Sequence, residues 1–452
     1  MISSDVIEEV RRLVDPVILV GSRVKLWKAG TSYAGLCPFH EEREGSFRLY
    51  PQDKRFVCFG CGARGDIFEF LQRAEGKPFP VVVRELAASV GVVVEREQLS
   101  AEERRARAER ATLLAACEAA ARHWQKNLWK PRGEEARGYL ARRGIGEATA
   151  RVYRLGYARR EWHDLEHALR GGKIPVALQR DAGVVAVHEA PEKPKRYYDR
   201  FRHRIVFPIS DVAGRVIGFG GRALGADRCA KYLNGPETPL YKKSRVLYGL
   251  HEARDVIRRT GKAVLVEGYF DVLALHQMGL CAVVAAGGTA LSSEQVELLV
   301  SNGCRELVLL FDGDEAGAAA PARAARVLLE ANLTAVVARL PAAPDGRSDP
   351  DALVVRSGKR GVEEVLAGAR PLTDFIIDEA VRCHAEGLGT LASVEHKLSV
   401  LRSLTPFVLA VPHGLARSAF ERTVARRLGI DIGPLRQEFQ RVEREPRAGG
   451  QP

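Results

Sequence analysis

The segment from Ala263 to Asp314 alternates short apolar runs with stretches of helical periodicity. The runs AVLV, AVVAA and ELVLL are separated by two amphipathic patterns and by a glycine turn. This alternation is typical of parallel strands joined by crossover helices. We therefore predict an α/β sheet over about residues 261–345.

Elsewhere the spacing of apolar positions predicts helices and one hairpin. Helical spacing occurs at Ile7–Leu13, Ile67–Arg73, Val82–Val90 and Ala111–Leu128, and amphipathic helices are expected beyond Arg370. The pattern HRIVFPISDVAGRVIGFGG predicts two strands joined by a turn at Asp211–Gly214. The charged tract from Glu95 to Arg110 predicts a solvated helix or a hinge, and the final EREPRAGGQP is expected to be disordered.

A chain of 452 residues exceeds what one hydrophobic core serves, so several units are expected. The predicted fold class is multi-domain α/β. It comprises an N-terminal α+β unit with cysteines, a central basic α+β subdomain, an α/β parallel-sheet module and a C-terminal helical subdomain. We place their limits at residues 1–95, 96–110 (charged linker), 111–258, 259–369, 370–440 and 441–452 (disordered tail).

The charge balance favours a polyanionic partner. The chain carries 69 Lys and Arg against 57 Asp and Glu, a formal net charge of +12. The alternative is a generally basic proteome. Between Lys193 and Arg245, however, 13 Lys or Arg stand against 4 Asp or Glu, so the excess is concentrated in one segment.

Eight cysteines are too few for a disulfide scaffold in a chain of this length. Five of them are expected to be reduced packing residues, namely Cys117, Cys229, Cys281, Cys304 and Cys383. The N-terminus has no apolar signal region, and no run approaches 18 apolar residues. These features predict a cytoplasmic protein.

The other three cysteines form part of a metal-ligand pattern. Cys37-Pro-Phe-His40 and Cys58-Phe-Gly-Cys61 are two ligand pairs separated by 17 residues. Two such knuckles predict one closed, structural Zn²⁺ site on a ribbon. Basic and aromatic residues between the pairs fit a surface for single-stranded nucleic acid, namely Phe47, Arg48, Lys54, Arg55 and Phe56. The alternative for the aromatic residues is a small core around the metal.

Carboxylates follow two of the predicted parallel strands. Glu267 follows the first strand, and Asp312 and Asp314 follow the last. Ligands collect at the carboxyl ends of parallel strands, and grouped carboxylates suit Mg²⁺, which in turn suits phosphates. Metal-dependent phosphoryl-transfer chemistry is expected at this edge.

Glycines and cations within the basic segment fit phosphate binding, because glycine lets the backbone approach an anion. The residues concerned are Gly218, Gly220, Gly221, Arg222, Lys231, Lys242 and Lys243. The alternative is a strand edge that charge keeps soluble.

Three long strings now carry a family resemblance over most of the chain. CPFH…CFGCGARGDIFEFL resembles the zinc-binding domain of bacterial DnaG-type primases. FRHRIVFPISDVAGRVIGFGGRAL…KYLNGPETPLY…LYGL resembles their basic motif, and VEGYFDVLAL…FDGDEAG is similar to their Toprim module. Their order along the chain is also that of the family.

The resemblance implies a DNA primase, a nucleotidyltransferase that makes short RNA primers on single-stranded DNA during DNA replication. It implies two or more catalytic Mg²⁺ ions, for which Mn²⁺ can substitute, held by Glu267, Asp271, Asp312, Asp314, Asp349 and Asp351. Glu267 would handle the proton, and Asp312 and Asp314 would be the principal ligands. For Asp271 and Asp351 the alternative is helix capping.

The resemblance also implies that basic residues bind template and nucleotide, namely Arg143, Arg222, Lys231 and Lys243. For Arg143 the alternative is a cation at a helix C-terminus. The implied partners are single-stranded DNA, ribonucleoside triphosphates and the RNA primer/DNA hybrid. The protein is expected to act as a monomer at the replisome.

The chain departs from the family pattern at three places. Arg43-Glu44-Gly45 replaces the usual Lys-Thr-Pro segment, and the acidic segment near Asp345 is one residue longer than usual. The helical domain that docks on the replicative helicase is not evident in the sequence, so helicase binding is left open. A Toprim nuclease or topoisomerase, or a non-catalytic single-strand-binding paralogue, are the competing functions.

Overall fold

The computed structural model describes residues 2–42, 44–93, 100–188, 195–225, 230–288, 290–312, 315–341, 349–385 and 394–444. The chain divides into two compact units, Met1–Ala106 and Arg107–Pro452. Part of the predicted linker, together with Asp314 and Asp345, lies outside the described residues. Within the described residues, no helix is long and apolar enough to cross a membrane.

The first unit is a five-stranded antiparallel sheet flanked by helices. Its strands follow the order β1-β2-β3-β4-β5, as in a meander. Its elements are α1 (Ser4–Leu13), α2 (Pro16–Gly21), β1 (Trp27–Ala29), β2 (Ser32–Gly35), β3 (Phe47–Tyr50), β4 (Arg55–Cys58), β5 (Arg64–Asp66), α3 (Ile67–Glu75) and α4 (Phe79–Ser89). The three predicted helical segments and the cysteine-containing ribbon are confirmed.

Aromatic rings form the core of this unit. Phe47 and Phe56 are 0% and 1% exposed. Their rings stack with centroids 5.5 Å apart, and Phe70 packs against both. The prediction that Phe47 and Phe56 offer a stacking surface is therefore wrong, and the alternative of a core beside the metal ligands is confirmed.

The second unit begins with a mixed subdomain built around an antiparallel sheet in the order β11-β10-β9-β6. Its elements are α5 (Ala101–Trp129), α6 (Glu134–Arg142), α7 (Glu147–Val152), β6 (Gly156–Ala158), α8 (Asp164–Gly171), α9 (Val176–Asp181), β7 (Val185–His188), β8 (Arg196–Asp199), β9 (Arg204–Ser210), β10 (Val216–Ala223), β11 (Tyr232–Asn234) and α10 (Leu250–Thr260). The predicted hairpin is confirmed, because β9 and β10 pair antiparallel and Gly214 takes a positive φ in the turn.

A mainly parallel sheet follows in the order β13-β12-β14-β15-β16. The first four strands pair in parallel, and β16 is antiparallel to β15. The elements are β12 (Lys262–Val266), α11 (Tyr269–Gln277), β13 (Val283–Ala285), α12 (Ser293–Ser301), β14 (Glu306–Leu310), α13 (Glu315–Glu330), β15 (Thr334–Ala338), α14 (Pro350–Ala367) and β16 (Arg370–Pro371). The predicted α/β sheet is confirmed.

Four helices close the described chain: α15 (Leu372–Ala385), α16 (Val394–Ala410), α17 (Leu415–Leu428) and α18 (Ile432–Arg444). Val400, Leu404 and Phe420 join the hydrophobic core that also contains Leu265 and Leu307 of the parallel sheet. The helices therefore cover one face of that sheet. Because α18 continues to Arg444, the prediction of a disordered tail from residue 441 is wrong for residues 441–444.

The scattered cysteines do not share one environment. Cys117 and Cys304 are buried packing residues, as predicted. Cys281 is half-buried, and Cys383 is exposed near the end of α15. The packing prediction is therefore wrong for Cys383, and Cys229 lies outside the described residues.

Candidate metal and nucleic-acid sites

The predicted zinc ligands lie together on the two knuckles of the first unit. Cys37 Sγ is 3.8 Å from Cys61 Sγ, and Cys58 Sγ is 3.8 Å from His40 Nδ1. All four donor atoms lie within 4.8 Å of one another. Tetrahedral zinc with bonds of about 2.0–2.3 Å needs donors roughly 3.5–3.8 Å apart, and the Cys37–Cys61 and Cys58–His40 pairs already have this spacing.

Side chains behind the knuckles orient these ligands. Glu42 accepts hydrogen bonds from the N–H groups of Cys37 (2.6 Å) and Ser46 (3.1 Å), and its carboxylate lies 3.4 Å from His40 Nε2. Since Nε2 faces Glu42, Nδ1 is the imidazole nitrogen that faces the cysteines. Glu42 is a supporting residue that the spacing of the ligands does not reveal.

The thiols of the cluster differ in acidity. Burial disfavours ionisation of Cys58, but hydrogen bonds from Ser46 and from backbone N–H groups outweigh it and lower its pKa to about 6. Burial, together with the neighbouring sulfurs, raises the pKa of Cys37 to about 12. A bound divalent cation is what allows both thiolates to persist side by side.

The outward face of the ribbon carries charge and one large ring. Cross-strand pairing places Trp27, Ala34, Arg48, Val57 and Arg64 in one row. Trp27 is 47% exposed, and Arg64 is exposed at the end of the row. Sequence reasoning missed Trp27 and Arg64, although the two-residue period of each strand assigns them to this face.

Two of the predicted basic residues on the ribbon differ in role. Arg55 is exposed on the same outward face as Arg48. Lys54 Nζ instead donates to the carbonyl oxygens of Arg11 (2.5 Å), Arg12 (2.5 Å) and Val14 (3.0 Å). Lys54 therefore caps the C-terminus of α1, and its predicted place on a nucleic-acid surface is wrong.

In the second unit, carboxylates follow adjacent parallel strands. Glu267 comes directly after β12 and Asp312 two residues after β14, and these strands are paired in register from Lys262 to Leu265. The carboxyl ends of the two strands therefore lie at the same edge of the sheet. Gly287 and Gly288, which follow β13 at this edge, both take positive φ values of 73° and 83°.

Three more predicted acids lie at the starts of α11 and α14. Asp271 Oδ2 accepts from the N–H of Gly268 (2.9 Å), and its Oδ1 accepts from the N–H of Asp351 (3.3 Å). Asp349 is the N-cap of α14 and accepts from the N–H of Ala352 (2.9 Å). Asp271 therefore bonds the N-cap residue of α11, Gly268, from the first turn of the helix, and Asp349 rather than Asp351 caps α14.

These carboxylates destabilise one another as anions. Burial raises the pKa of Asp271 well above its usual range, and the neighbouring Asp351, Asp312 and Asp349 add to the shift. Burial likewise raises the pKa of Asp351 to about 6, with Asp349 adding and Arg143 opposing. Such a group of mutually repelling carboxylates fits a divalent cation, which supplies the missing positive charge.

Arg143 joins the basic subdomain to this acidic group. It is the C-cap residue of α6, so the alternative of a cation at a helix C-terminus describes its backbone position. Its guanidinium forms an ion pair with Asp351 and lies 5.1 Å from the centre of the Phe270 ring. The side chain therefore reaches the carboxylates as well.

Arg222 lies on β10, and Lys231 directly precedes the neighbouring strand β11. Arg222 of β10 pairs with Tyr232 of β11, and its guanidinium lies 4.7 Å from the centre of that ring. Its Nε and Nη1 are buried without a hydrogen-bond partner in the described part of the chain. Lys231 is exposed directly before β11.

Tyr232 links the basic strands to the acidic group. Burial raises the pKa of Tyr232; Arg222 opposes this shift, Asp271 adds to it and Arg143 opposes it. The cations and the carboxylates therefore act on one ring.

Lys243 lies on a 3-10 turn, Lys243–Arg245, between β11 and α10. Its N–H donates to Glu237 (3.2 Å), and its carbonyl oxygen accepts from Gln295 (3.1 Å). The turn is thereby fixed against α12. Of the predicted site residues, Asp314 alone lies outside the described residues.

Four family models match successive parts of the chain. They are described as CHC2 zinc finger (residues 2–102), DNA primase catalytic core, N-terminal domain (123–254), Toprim-like (264–354) and DnaB-helicase binding domain of primase (384–433). The zinc-finger match and the Cys/His cluster together support structural zinc in the first unit.

The last match corrects an expectation. The sequence analysis finds no evident helicase-docking domain, whereas the fourth family model covers α17 and all of α16. An amphipathic docking helix has the same spacing of apolar positions as a helix of the polymerase core. The pattern alone therefore did not distinguish the two.

Curated relatives agree with the family matches. The chain is 41% identical to the DNA primase of Myxococcus xanthus over 94% of this chain and 67% of the relative. It is 34% identical to the DNA primase of Escherichia coli K12 over 92% of this chain and 70% of the relative. These relatives support DNA primase function.

The Aquifex aeolicus primase structure, with its zinc-binding and RNA polymerase domains, covers 96% of this chain and 99% of its own, with 31% identity and a TM-score of 0.61. The structure of a DnaG primase catalytic domain bound to ssDNA covers 72% of this chain and 99% of its own, with 33% identity and a TM-score of 0.63. Motifs, fold and relatives agree from the zinc ribbon to the parallel sheet, and the chain belongs to the DnaG-type bacterial DNA primases.

Proposed function

We propose that this chain is an RNA-polymerising nucleotidyltransferase that makes short primers on a single-stranded DNA template. One observation carries the proposal. The acidic group at the carboxyl edge of β12 and β14 and at the starts of α11 and α14 is joined to the basic subdomain, because Asp351 forms an ion pair with Arg143. Nucleotidyl transfer needs carboxylates that bind metal ions and cations that bind phosphate oxygens.

Divalent metal, Mg²⁺ or Mn²⁺, would be held by the acidic group. The candidates are Glu267, Asp271, Asp312, Asp314, Asp349 and Asp351. Their mutual repulsion supports this assignment, since burial raises the pKa of Asp271 and the neighbouring Asp351, Asp312 and Asp349 raise it further. When bound, such metal activates the attacking hydroxyl and stabilises the departing pyrophosphate.

Residues of the chain itself would transfer the proton, bind phosphate oxygens and balance the charge of the acidic group. Glu267 would accept the proton of the primer 3′-hydroxyl. Arg222, Lys231 and Lys243 would neutralise template and triphosphate oxygens. Two buried nitrogens of Arg222 have no hydrogen-bond partner among the described residues, which favours an anionic ligand there. Arg143 would offset the charge of Asp351 until metal and nucleotide arrive.

The zinc ribbon would recognise the template. Zinc would hold the knuckles in place, while Trp27, Arg48, Arg55 and Arg64 offer an aromatic and basic surface to single-stranded DNA. The bound single strand of the related catalytic-domain structure supports such a template for this chain. Glu44 and Gly45, which depart from the usual family residues, would alter the preferred initiation sequence.

A replicative helicase is the proposed protein partner. The match of residues 384–433 to the helicase-binding domain of primase supports it. The core-facing side of α16 is covered, because Val400 and Leu404 are buried. Val394 and Leu398, which lie one helical turn apart on α16, are 68% and 40% exposed and would form part of the contact.

A single assay tests the enzyme class. The protein is incubated with single-stranded DNA, the four ribonucleoside triphosphates and Mg²⁺, and the products are resolved by length. Short RNA that depends on template and metal is expected. Cleavage of the DNA without RNA would favour a Toprim nuclease, and binding with neither reaction would favour a non-catalytic paralogue.

A further inference from the structure

Gln277, the last residue of α11, holds the turn that carries Arg143. Its Oε1 accepts from the N–H of Gly146 (2.8 Å) and from Thr149 Oγ1 (3.0 Å). Its Nε2 donates to the carbonyl oxygen of Gly144 (2.7 Å). Both ends of the carboxamide are thereby matched to complementary groups, which fixes the side chain against one segment.

The held segment is short and connects two helices. It runs from Arg143, the C-cap of α6, to Gly146, the N-cap of α7, and Gly144 takes a φ of 72°. Only glycine adopts such a conformation without strain, so the direction of the chain after Arg143 is set locally. The position of Arg143 relative to α11 is set by Gln277.

The helix that bears Gln277 also bears an acid of the candidate site. Asp271 lies in the first turn of α11, and Phe270 beside it contacts Arg143. Arg143 in turn pairs with Asp351, whose N–H donates to Asp271. Contacts at both ends of α11 therefore hold the arginine-bearing turn to the acidic group.

Gln295 repeats this arrangement on α12. It is fully buried, and its Nε2 donates to the carbonyl oxygens of Lys243 (3.1 Å) and Val246 (2.8 Å). Its Oε1 accepts from the N–H of Ser292 (3.1 Å), and Ser292 Oγ donates to the carbonyl oxygen of Ser244. The turn that carries Lys243 is thus fixed to the N-terminus of a helix of the α/β module.

We propose that Gln277 and Gln295 are positioning residues for primer synthesis. Each glutamine holds one turn of the basic subdomain against the α/β module, and each turn bears a cation for nucleotide or template. Gln277 holds the turn of Arg143, and Gln295 holds the turn of Lys243. The two glutamines set the separation between those cations and the carboxylates. The inference rests on the proposed function and adds to it the residues that determine its geometry.

Double-mutant cycles test the proposal. Gln277→Met keeps the length of the side chain and removes its hydrogen bonds. We expect it to raise the KM for ribonucleoside triphosphates about tenfold, a coupling within the range of contacting residues. In an Arg143→Gln background the same change is expected to have no further effect. Gln295→Met is combined with Lys243→Gln in the same way.

The matched control is Gln179→Met. Gln179 is fully buried and its Nε2 donates to the carbonyl oxygen of Ile174 (2.9 Å), but it lies on α9 and touches neither cation-bearing turn. It is expected to lower the melting temperature while leaving the KM unchanged. If Gln277→Met and Arg143→Gln act additively, or if Gln179→Met raises the KM equally, the glutamines are merely structural and the proposal is overturned.

Hydrogen exchange provides a readout that does not depend on catalysis. Gln277→Met is expected to speed exchange at the amide of Gly146, whereas Arg143→Gln is not. Unchanged protection at Gly146 would refute the clamp even in an inactive protein. The two proposals can also fail separately. If the wild-type protein makes no RNA but Gln277→Met still speeds exchange at Gly146, the proposed function is contradicted and the clamp is supported.

Discussion

Arg143 and Asp351, which lie 208 positions apart in the sequence, form an ion pair at the junction of the basic subdomain and the α/β module. Asp351 is 6% exposed and also donates its N–H to Asp271. The arginine thus supplies positive charge to a group of carboxylates that repel one another.

Arg143→Gln is expected to destabilise the metal-free protein. The loss leaves Asp351 beside Asp349 and Asp271 without its counter-charge, and removal of one partner of a half-buried pair costs about 1–3 kcal/mol, between the limits for exposed and buried pairs. Added Mg²⁺ should recover most of the loss, since it replaces the missing charge. Thermal unfolding at pH 8 with and without Mg²⁺ measures both effects.

The neighbouring Arg142 provides the control for this prediction. It lies in the last turn of α6 and is exposed. Arg142→Gln should change the melting temperature little and without dependence on Mg²⁺. A loss of equal size with and without Mg²⁺ in Arg143→Gln would contradict the charge argument.

Asp312→Asn is expected to reduce primer synthesis by at least about a hundredfold while single-stranded DNA is still bound. The substitution removes one negative charge from the candidate metal site and leaves the basic strands intact. Synthesis and DNA binding are measured on the same preparation. Glu306→Gln, at the opposite end of β14, is the control and should retain synthesis. If DNA binding falls as far as synthesis, Asp312 has a structural role.

The parallel sheet and its acidic edge follow from local patterns. The strands β12, β13 and β14 are short apolar runs, and their length and the glycines near their ends identify them. Glu267 and Asp312 directly follow such runs, so their common edge is a consequence of parallel pairing. This part of the site could be predicted because topology alone brings the residues together.

Strand faces explain the error on the zinc ribbon. Phe47 and Leu49 alternate with Arg48 and Tyr50 along β3, and the first pair is buried. Grouping Phe47 with Arg48 as one surface ignored the two-residue period, which assigns them to opposite faces. The alternation along the strand divides its residues between two faces. Which of the two faces is buried depends on packing against Phe70, which the alternation does not reveal.

The glutamine clamps could not be predicted. Gln277 and Gly146 lie 131 positions apart, and a lone glutamine at the end of a helical pattern carries no signal of its partner. Side-chain hydrogen bonds to a distant turn depend on the docking of two subdomains. Local periodicity contains no information about that docking.

Cys58→Ala is expected to release zinc and to loosen the first unit. Structural zinc supplies folding free energy locally, so the second unit should keep its melting transition. Initiation on unprimed template should fall more than extension of a preformed primer. Zinc content, limited proteolysis and the two activities are the measurements. Cys383→Ala, which alters an exposed cysteine on α15, is the control; equal loss of initiation and extension would contradict a separate recognition role.

The paired change Val394→Ser and Leu398→Ser is expected to weaken capture of the replicative helicase without affecting primer synthesis. Both side chains are exposed on α16, so their loss should cost little stability. Helicase capture is measured by a pull-down with purified components. Val355→Ser is the control, since Val355 is 68% exposed on α14 outside the matched segment. Unchanged capture would mean that the helicase contacts another face of these helices.

Asp199 predicts a specific pH dependence of stability. It is 2% exposed and accepts from the N–H groups of Leu165 (2.7 Å) and Glu166 (2.9 Å) at the start of α8. Burial raises its pKa from 3.8 to about 6 in spite of these bonds, with Asp164 adding to the shift and His163 opposing it. Because the folded-state pKa is the higher one, the protonated carboxyl stabilises the fold. This contribution is complete below the unfolded-state pKa and is lost as the pH rises through about 6.

Asp199→Asn removes this titration while keeping a side-chain oxygen as acceptor for the helix N–H groups. The difference in melting temperature between wild type and variant should therefore shift in favour of the variant as the pH rises from about 4 to about 7, because only the wild type must then bury a carboxylate. Thermal unfolding across that range measures it. Asp181→Asn, which alters an exposed acid paired with Arg180 at the end of α9, is the control and should show no such trend. A difference between wild type and Asp199→Asn that stays constant across the range would mean that Asp199 keeps its ordinary acidity in the folded protein.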